Sequence, residues 1–330
     1  MADFSLEKIT KASELVYQYM LPTPQYNWPQ LSQKLGTELW VKHENHTATG
    51  SFKIRGGITY LDWLKKNNPM VKGIVTATRG NHGQSQARAG RALNINVKII
   101  VPNGNSIEKN AAMRSFGADV VEFGNDFDAA KQEAVRIAEH EELFPVPAFH
   151  SALVLGVASY ALELFTHVAD LDVVYVPIGC GSGICGVISV RDALGLKTEV
   201  VGVVSTEADA VKQSFETGRL INTSSANTFA DGVAVREPIP EAFSMYSTGV
   251  SRIVSVTDEE ISAAIRMYFA CTHNVAEGAG AISLAAALRE RQQLCGKRVG
   301  VVLTGGNIDS DVYASILRGG ALPESTNHGG

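Results

Sequence analysis

One stretch of the chain reads Val173-Val174-Tyr175-Val176-Pro177-Ile178-Gly179-Cys180-Gly181-Ser182-Gly183. Its first six residues are apolar without alternation, which is typical of a parallel strand that is covered on both faces. The glycine-rich segment that follows suits a tight turn at the end of such a strand. A similar apolar run occupies residues 299–303. Together these runs predict a sheet of parallel strands.

The rest of the chain alternates short β-branched runs with longer amphipathic stretches. Strands are predicted at 38–45, 73–78, 97–102, 118–123, 173–178, 199–205, 252–256 and 299–304. Helices are predicted at 81–93, 107–116, 126–139, 157–167, 258–271 and 278–291. This alternation indicates an α/β fold with mostly parallel, twisted sheets that are covered by helices.

The length predicts two lobes, because 330 residues exceed what one hydrophobic core usually supports. Residues 73–149 contain three consecutive strand–helix units and are expected to form a small inserted domain. Residues 1–72 and 150–330 would then form the large domain. The tail 321–330, which contains Pro323 and ends in two glycines, is expected to be frayed.

Composition narrows the class of protein. With 45% hydrophobic and 19% charged residues, the chain is globular and not disordered. A net charge of −5 without blocks of Lys or Arg makes nucleic acids and anionic membranes poor candidate partners. The N-terminal residues mix charges and lack an apolar core, so we expect no signal peptide. The spacing of Cys180, Cys185, Cys271 and Cys295 suits neither metal nor disulfide, which indicates a reduced, cytoplasmic protein.

Ligands of open α/β sheets bind at the carboxyl ends of strands, and four segments lie at such positions. In the first, residues 49–57, Ser51 is predicted to cap a helix and Lys53 to lie in its first turn. The helix dipole disfavours a cation there, which suits the amine to act as a nucleophile or base. The alternative is an ordinary solvated lysine.

The other three segments have properties that suit the binding of an anion or of a flat aromatic ring. Residues 76–85 follow a strand and open a helix, so backbone N–H groups and the Thr78 hydroxyl are suited to bind a carboxylate. The glycines of 179–183 allow close approach of a phosphate, although dinucleotide-binding loops look similar. In 303–307, the hydroxyl of Thr304 is placed to meet the edge of a flat ring. The alternative for 76–85 is a capped turn with a satisfied histidine, and the alternative for 303–307 is a turn into the last helix.

Taken together and in this order, the four segments resemble the fold-type II enzymes that use pyridoxal phosphate, whose fold is that of the tryptophan synthase β subunit. They are most similar to the serine/threonine dehydratase (ammonia-lyase) group, which also includes serine racemase. The resemblance runs from Pro22-Thr23-Pro24 to about residue 318. Its most specific elements are Ser51-Phe52-Lys53-Ile54-Arg55-Gly56 and Gly80-Asn81-His82-Gly83.

The resemblance implies a role for each matching residue. Lys53 would bind the cofactor as a Schiff base and serve as general base, with Phe52 beside it. The cofactor phosphate would be bound by Gly179, Cys180, Gly181, Ser182 and Gly183. The remainder of the cofactor would be contacted by Asn81 at its 3′-oxygen, Thr304 at its pyridine nitrogen, Gly232 and Glu277. The substrate carboxylate would lie among Thr78, Arg79, Gly80, Asn81 and His82.

The implied activity is that of a carbon–oxygen lyase, which converts a 3-hydroxy amino acid of the threonine or serine type into a 2-oxo acid and ammonia. Arg79 stands where the family usually has Ser, the acid/base of the racemases. Because an Arg stays protonated, racemisation is disfavoured. The apolar segment 149–156 suits a bulkier substrate such as 3-phenylserine, whereas Arg79 suits 3-hydroxyaspartate, unless it forms a salt bridge at the rim.

Several further expectations follow from the resemblance. Val204 and Ala210 occupy two positions at which racemase-like members have cation ligands, so we expect no dedicated Mg²⁺ site. Family members are commonly dimers or tetramers, which implies a homo-oligomer. The alternatives are a racemase or β-replacement enzyme of the same fold, a cofactor-binding regulatory protein, and a dinucleotide-dependent oxidoreductase with Glu207 at a ribose. The last of these leaves Lys53 and the Asn81 segment unexplained.

Overall fold

The structure, a computed structural model, describes residues 4–320, so the tail expected to be frayed lies outside the described residues. The strands are β1 (Gln25–Asn27), β2 (Glu38–His43), β3 (Gly73–Ala77), β4 (Asn96–Val101), β5 (Asp119–Glu122), β6 (Phe144–Pro145), β7 (Val173–Pro177), β8 (Glu199–Ser205), β9 (Arg252–Val256) and β10 (Arg298–Leu303). The helices are α1 (Leu6–Tyr17), α2 (Pro29–Leu35), α3 (Lys53–Asn67), α4 (Asn81–Leu93), α5 (Ile107–Ser115), α6 (Phe127–His140), α7 (Ser151–His167), α8 (Ser182–Ala193), α9 (Ala210–Thr217), α10 (Pro240–Gly249), α11 (Asp258–Thr272), α12 (Gly278–Arg289) and α13 (Ser310–Leu317).

A six-stranded sheet has the order β1-β2-β10-β7-β8-β9, and every neighbouring pair is parallel except β1 with β2. In β7, Val173 and Tyr175 pack into the core beneath α11 and α12. Val174 and Val176 face the opposite core, beneath α7 and α8. The strand is thus buried on both faces, and the α/β fold predicted from its apolar run is confirmed.

A second, four-stranded sheet has the order β5-β4-β3-β6 and is entirely parallel. Its strands fall within 73–149, the range expected to form the inserted domain. One face packs against α3 and α4 through a core that contains Ile58 and Ile99, and the other packs against α6. Helix α3 precedes this range in the chain but shares the core of its sheet. The domain limits themselves stay a prediction.

Some elements differ from those predicted. Helix α7 begins at Ser151 and not at residue 157, because the side chain of His150 accepts a hydrogen bond from the Ala152 N–H and caps the helix. Strands β1 and β6 have three and two residues, too few to show an alternating pattern. The predictions also omit α1, α2, α9, α10 and α13.

The uncharged stretch 173–190 forms β7, a turn and most of α8. It therefore does not form the lipid-spanning helix that its length alone would permit. Among the helices between residues 4 and 320, none is both long enough and apolar enough to cross a bilayer.

Candidate active site

Lys53 is the first residue of α3, and its segment is tied to the end of β10. The N–H of Phe52 donates to the carbonyl of Thr304 at 3.1 Å, and Ser51 forms an isolated antiparallel bridge with Gly305. The N-cap of α3 is Phe52, so the prediction of Ser51 as the cap is wrong. The backbone of Ser51 is paired with Gly305, and the helix therefore begins one residue later than predicted. The Lys53 ammonium lies 4.9 Å from the centroid of the Phe52 ring.

The second segment places Asn81 and His82 close to Lys53. Strand β3 ends at Ala77, and the Thr78 hydroxyl accepts from the Gly80 N–H at 3.2 Å, which shapes the turn into α4. One turn later, the Ser85 hydroxyl donates to the Lys53 carbonyl at 2.6 Å. This contact fixes the beginning of α4 against the beginning of α3.

Asn81 is held by hydrogen bonds on both sides of its amide. Its Nδ2 donates to Glu277 Oε1 at 2.7 Å, and its Oδ1 accepts from Asn307 Nδ2 at 2.7 Å. Asn307 also donates to the Thr49 carbonyl at 2.8 Å. The first, second and fourth predicted segments thus meet at one amide. Asn307 lies in a predicted segment, but its contact to Asn81 spans 226 residues and left no signal in the sequence.

Glu277 is buried beside this amide. Burial raises its pKa to about 7, although the charges of Lys109 and Lys53 and the hydrogen bond from Asn81 oppose that shift. Asp231 raises the pKa further. A Cβ atom at Gly305 would lie 2.4 Å from Glu277 Oε1, so a larger residue there would displace the carboxyl group. Glu277 therefore titrates near neutral pH within the site.

His82 is half-buried as a residue, but the Nε2 atom of its ring is inaccessible to solvent. Burial, together with the positive charge of Lys53, lowers its pKa to about 3. Its Nε2 has no hydrogen-bond partner among residues 4–320, and the buried hydroxyl of Ser51 has none there either. Buried polar atoms are normally paired, so two such atoms beside Lys53 indicate that a ligand completes this site.

The third segment forms an anion-binding turn. Gly181 has a φ of +96° and precedes α8, whose first N–H groups have no intrahelical acceptor. A Cβ atom at Gly179 would lie 2.1 Å from the carbonyl oxygen of Gly232, so these two backbones are in direct contact. A Cβ atom at Gly183 would lie 3.6 Å from Phe52 Cζ, which places the turn beside the Lys53 segment. Cys180 is half-buried in the turn.

Thr304 completes the set at the end of β10. Its buried hydroxyl donates to the carbonyl of Ala279 at 3.0 Å. A Cβ atom at Gly280 would lie 2.2 Å from the Gly305 carbonyl oxygen, so α12 approaches the end of this strand closely. Arg79 is half-buried on the turn before α4, where its carbonyl accepts from Asn105 Nδ2 at 3.1 Å.

These residues fit pyridoxal phosphate. The turn at the start of α8 suits its phosphate, and the amine of Lys53 suits its aldehyde. The amide of Asn81 and the hydroxyl of Thr304 are hydrogen-bonding groups for the ring substituents. The unpartnered atoms of Ser51 and His82 supply further polar contacts in the same region. The structure therefore brings the predicted site residues together, although their individual roles stay predictions.

The positions at which racemase-like enzymes have cation ligands are apolar here, and the nearby carboxylate of Glu207 faces solvent. Val204 and Ala210 are fully buried, and Glu207 is exposed. In the part of the chain that the structure describes, no group of three or more His, Cys, Asp or Glu side chains is arranged to hold a metal ion. The expectation that no dedicated Mg²⁺ site exists stays a prediction.

Comparison with known proteins gives a consistent result. The family model "Pyridoxal-phosphate dependent enzyme" matches residues 16–305. The L-threonine ammonia-lyase of Thermotoga maritima is 34% identical over 88% of this chain and 73% of that protein. The L-threo-3-hydroxyaspartate ammonia-lyase of a Pseudomonas species is 30% identical over 96% of this chain and 99% of that protein. The processed threonine deaminase isoform 2 of Solanum lycopersicum superposes with a TM-score of 0.88 at 28% identity and covers 95% of this chain and 94% of that chain.

Proposed function

Because this chain belongs to the family of pyridoxal-phosphate dependent enzymes, we propose that Lys53 is the amine that binds the cofactor and drives an ammonia-lyase reaction. The predicted cofactor and the predicted class of ammonia-lyase are confirmed by the family match and by the relatives. The alternative of a dinucleotide-dependent oxidoreductase is thereby set aside. The observation that carries the proposal is the convergence of all four segments on Lys53.

Each part of the site contributes to holding the cofactor. The turn at Gly179, Cys180, Gly181, Ser182 and Gly183 would bind the phosphate. Phe52 and Gly232 would border the ring, and Asn81, Glu277 and Thr304 would contact its polar edge. When bound, pyridoxal phosphate supplies an electron sink for the electron pair that is left when an α-proton is removed.

The chain's own groups then perform the proton transfers. Lys53 Nζ would accept the proton of the substrate α-carbon, as the general base of the reaction. The bond between the β-carbon and its hydroxyl oxygen would break, and the hydroxyl would leave as water with the proton that the Lys53 ammonium returns, so that Lys53 is again neutral. The released enamine takes up water and gives a 2-oxo acid and ammonia. Because its pKa is lowered to about 3, His82 would be neutral near neutral pH and could form a hydrogen bond to a ligand through Nε2 without changing charge.

The substrate is a 3-hydroxy amino acid, which we propose to be bound through its carboxylate by the turn of Thr78, Arg79, Gly80, Asn81 and His82. The Thr78 and Gly80 groups lie at the start of α4, where the helix dipole favours an anion. Arg79 on this turn supports elimination over racemisation, because its guanidinium cannot act as a base at neutral pH.

Arg79 also favours one candidate substrate. A guanidinium suits a substrate with a second carboxylate, such as 3-hydroxyaspartate. The Pseudomonas relative is named for that substrate and aligns over nearly its whole length. 3-Phenylserine is the second candidate, proposed from the apolar character of segment 149–156.

A substrate panel tests the proposal. Threonine, serine, 3-hydroxyaspartate and 3-phenylserine, each in all configurations, are assayed for ammonia and for the 2-oxo acid. Equal amounts of both products from one or more of these compounds support an ammonia-lyase. Racemised substrate without ammonia, or a requirement for a second nucleophile, would contradict it and indicate the racemase or β-replacement alternative. Bound cofactor without any turnover would indicate the regulatory protein.

We further propose that the chain acts in the cytoplasm as a homo-oligomer, a dimer or a tetramer. The four cysteines are free, as expected of a reducing compartment. Light scattering of the purified holoenzyme measures the mass, and a monomer of 35.3 kDa would contradict the oligomer.

A further inference from the structure

Lys109 is a charged residue of the site that the sequence patterns did not indicate. It lies in the first turn of α5, and its ammonium forms an ion pair with Asp231 at 2.8 Å. The Lys109 side chain is only 13% exposed. Asp231 directly precedes Gly232, the glycine that contacts the phosphate-binding turn. A largely shielded cation therefore reaches from α5 to the loop beside the cofactor site.

The stem of Lys109 packs on the substrate-binding turn. A Cβ atom at Gly80 would lie 2.7 Å from Lys109 Cδ and 3.4 Å from Cγ. The aliphatic part of the lysine thus crosses directly over Gly80, one residue before Asn81. The stem of Lys109 contacts the loop at Gly80, and its ammonium contacts the loop at Asp231. These two loops are about 150 residues apart in the sequence, so only tertiary contacts can fix their relative position.

The charges around Lys109 keep it ionised. Burial opposes its charge, but the carboxylates of Asp231, Glu277 and Asp309 raise its pKa above the ordinary value. Glu277, which holds Asn81, is in turn influenced by the charges of Lys109, Lys53 and Asp231. Lys109 is therefore coupled both to the turn beneath its stem and to the acid that orients Asn81.

Two neighbouring contacts lie at the same end of α5. The Ser106 hydroxyl donates to Asp309, and Glu108 accepts from the Ser310 N–H at 3.0 Å. A second ion pair also joins the range 73–149 to the range 150–330. It links Asp128 and Arg236, whose side chains are 55% and 40% exposed. Pairs that are exposed on both sides contribute little. The Lys109–Asp231 pair differs in that its ammonium end is largely shielded from solvent, although the Asp231 side chain is 38% exposed, and in that the stem of its lysine packs on Gly80.

We propose that Lys109 is a positioning residue of this active site: its ion pair with Asp231 and its packing on Gly80 hold the substrate-binding turn in register with the Gly232 loop. The inference rests on the proposed function, because it is the bound substrate and cofactor that need this register. Loss of the pair leaves Lys53 in place but loosens the turn that binds the substrate carboxylate.

The test compares Lys109→Met, Lys109→Arg, Asp231→Asn and the Lys109→Met/Asp231→Asn double variant. Arg236→Met is the matched control, since it removes the exposed pair. Three kinds of measurement are made: kcat and KM for ammonia release, the dissociation constant for pyridoxal phosphate from absorbance titration, and amide hydrogen exchange in residues 76–85, which contain the substrate-binding turn. Lys109→Arg keeps the stem through Cδ and the positive charge.

Lys109→Met is expected to raise KM by about tenfold to a hundredfold with a smaller change in kcat, because a misplaced binding loop weakens productive binding. It should also weaken cofactor binding and speed amide hydrogen exchange in residues 76–85. Lys109→Arg should restore most of each quantity. The double variant should be no worse than the more affected single variant, since both remove the same pair.

The assignment is overturned if Lys109→Met behaves like the wild type, if Lys109→Arg gives no recovery, or if Arg236→Met has an equal effect. It is also overturned if kcat falls while KM is unchanged. Should the wild type bind the cofactor but release no ammonia from any substrate, the proposed function fails. The cofactor dissociation constant and the hydrogen exchange then decide the role of Lys109 by themselves.

Discussion

Two residues in the first turn of α3, Lys53 and Arg55, lie in opposite kinds of environment. Arg55 is fully buried, and its guanidinium donates to Glu44 at 2.8 Å and to Glu163 at 2.6 Å. Lys42, also fully buried, donates to Glu163 at 2.5 Å. Two cations thus face two carboxylates, and hydroxyls of Thr23 and Ser159 complete the network around Arg55.

The surroundings of Lys53 are incomplete by contrast. Ser51 Oγ and His82 Nε2 have no hydrogen-bond partner in the described range 4–320. Glu277 has a raised pKa of about 7, and His82 has a lowered pKa of about 3. Matched buried charges stabilise the fold around Arg55. Around Lys53, in contrast, unpartnered polar atoms occur together with shifted pKa values at one place, and this combination is typical of a ligand site.

The largest effect is expected from Lys53→Ala, which should lower turnover by more than about 10³-fold, because the general base and the cofactor linkage are both lost. The free energy of unfolding should change little, because the substitution leaves no buried carboxylate without its ion-pair partner. Lys66→Ala removes a 72% exposed lysine of the same helix and is the control. Ammonia release is the measurement, and retained turnover in Lys53→Ala would contradict the assignment.

Arg55→Met should act in the opposite way, through stability. It leaves Glu44 and Glu163 buried with Lys42 as the remaining cation of the network, a loss worth about 3–5 kcal/mol in the free energy of unfolding. Arg289→Met breaks a partly exposed pair with Glu260 and should cost no more than about 1 kcal/mol. Denaturant unfolding measures both variants. Equal stability of the two would show that the buried network is not what holds α3.

Glu277→Gln should remove a pH dependence of stability. Because the pKa of Glu277 is about 7 in the folded protein against 4.5 ordinarily, its stabilising contribution is complete below pH 4.5 and is lost as pH rises through 7. The difference corresponds to roughly 3 kcal/mol. The unfolding free energy of Glu277→Gln should therefore fall less between pH 5 and 8 than that of the wild type.

The exposed Glu259→Gln serves as the control for that titration and should follow the wild type. An identical slope in Glu277→Gln and wild type would mean that Glu277 is not the titrating group.

The smallest effect compares two glycines of one turn. A Cβ atom at Gly179 would lie 2.1 Å from the Gly232 carbonyl oxygen, whereas the nearest atom to one at Gly183 is Tyr160 Oη at 3.5 Å. Gly179→Ala should cost about 1–3 kcal/mol and weaken cofactor binding. Gly183→Ala should have a clearly smaller effect on both quantities. Thermal unfolding and absorbance titration provide the check, and a reversed order would refute the close approach at Gly179.

The sequence was most informative where the signal is local. The apolar run of β7 and the glycines after it predict a buried parallel strand and an anion-binding turn without any distant contact. The position of Lys53 near a helix start is equally local. These features allowed the α/β fold and the residues of the four segments to be predicted.

Other features depend on residues far apart in the chain. Ser51 fails as a helix cap because it pairs with Gly305, and Asn81 is oriented by Glu277, which lies 196 residues away. The ion pair of Lys109 with Asp231 spans 122 residues. Nothing in the local pattern of charges or apolar residues encodes such contacts, because tertiary packing alone creates them.

The most direct test of the central claim is to saturate the protein with pyridoxal phosphate, reduce it with borohydride and map the modified peptide by mass spectrometry. The account predicts a single pyridoxyl group per chain, attached to Nζ of Lys53. A group attached to another lysine, such as Lys109, or no attachment at all, would contradict it.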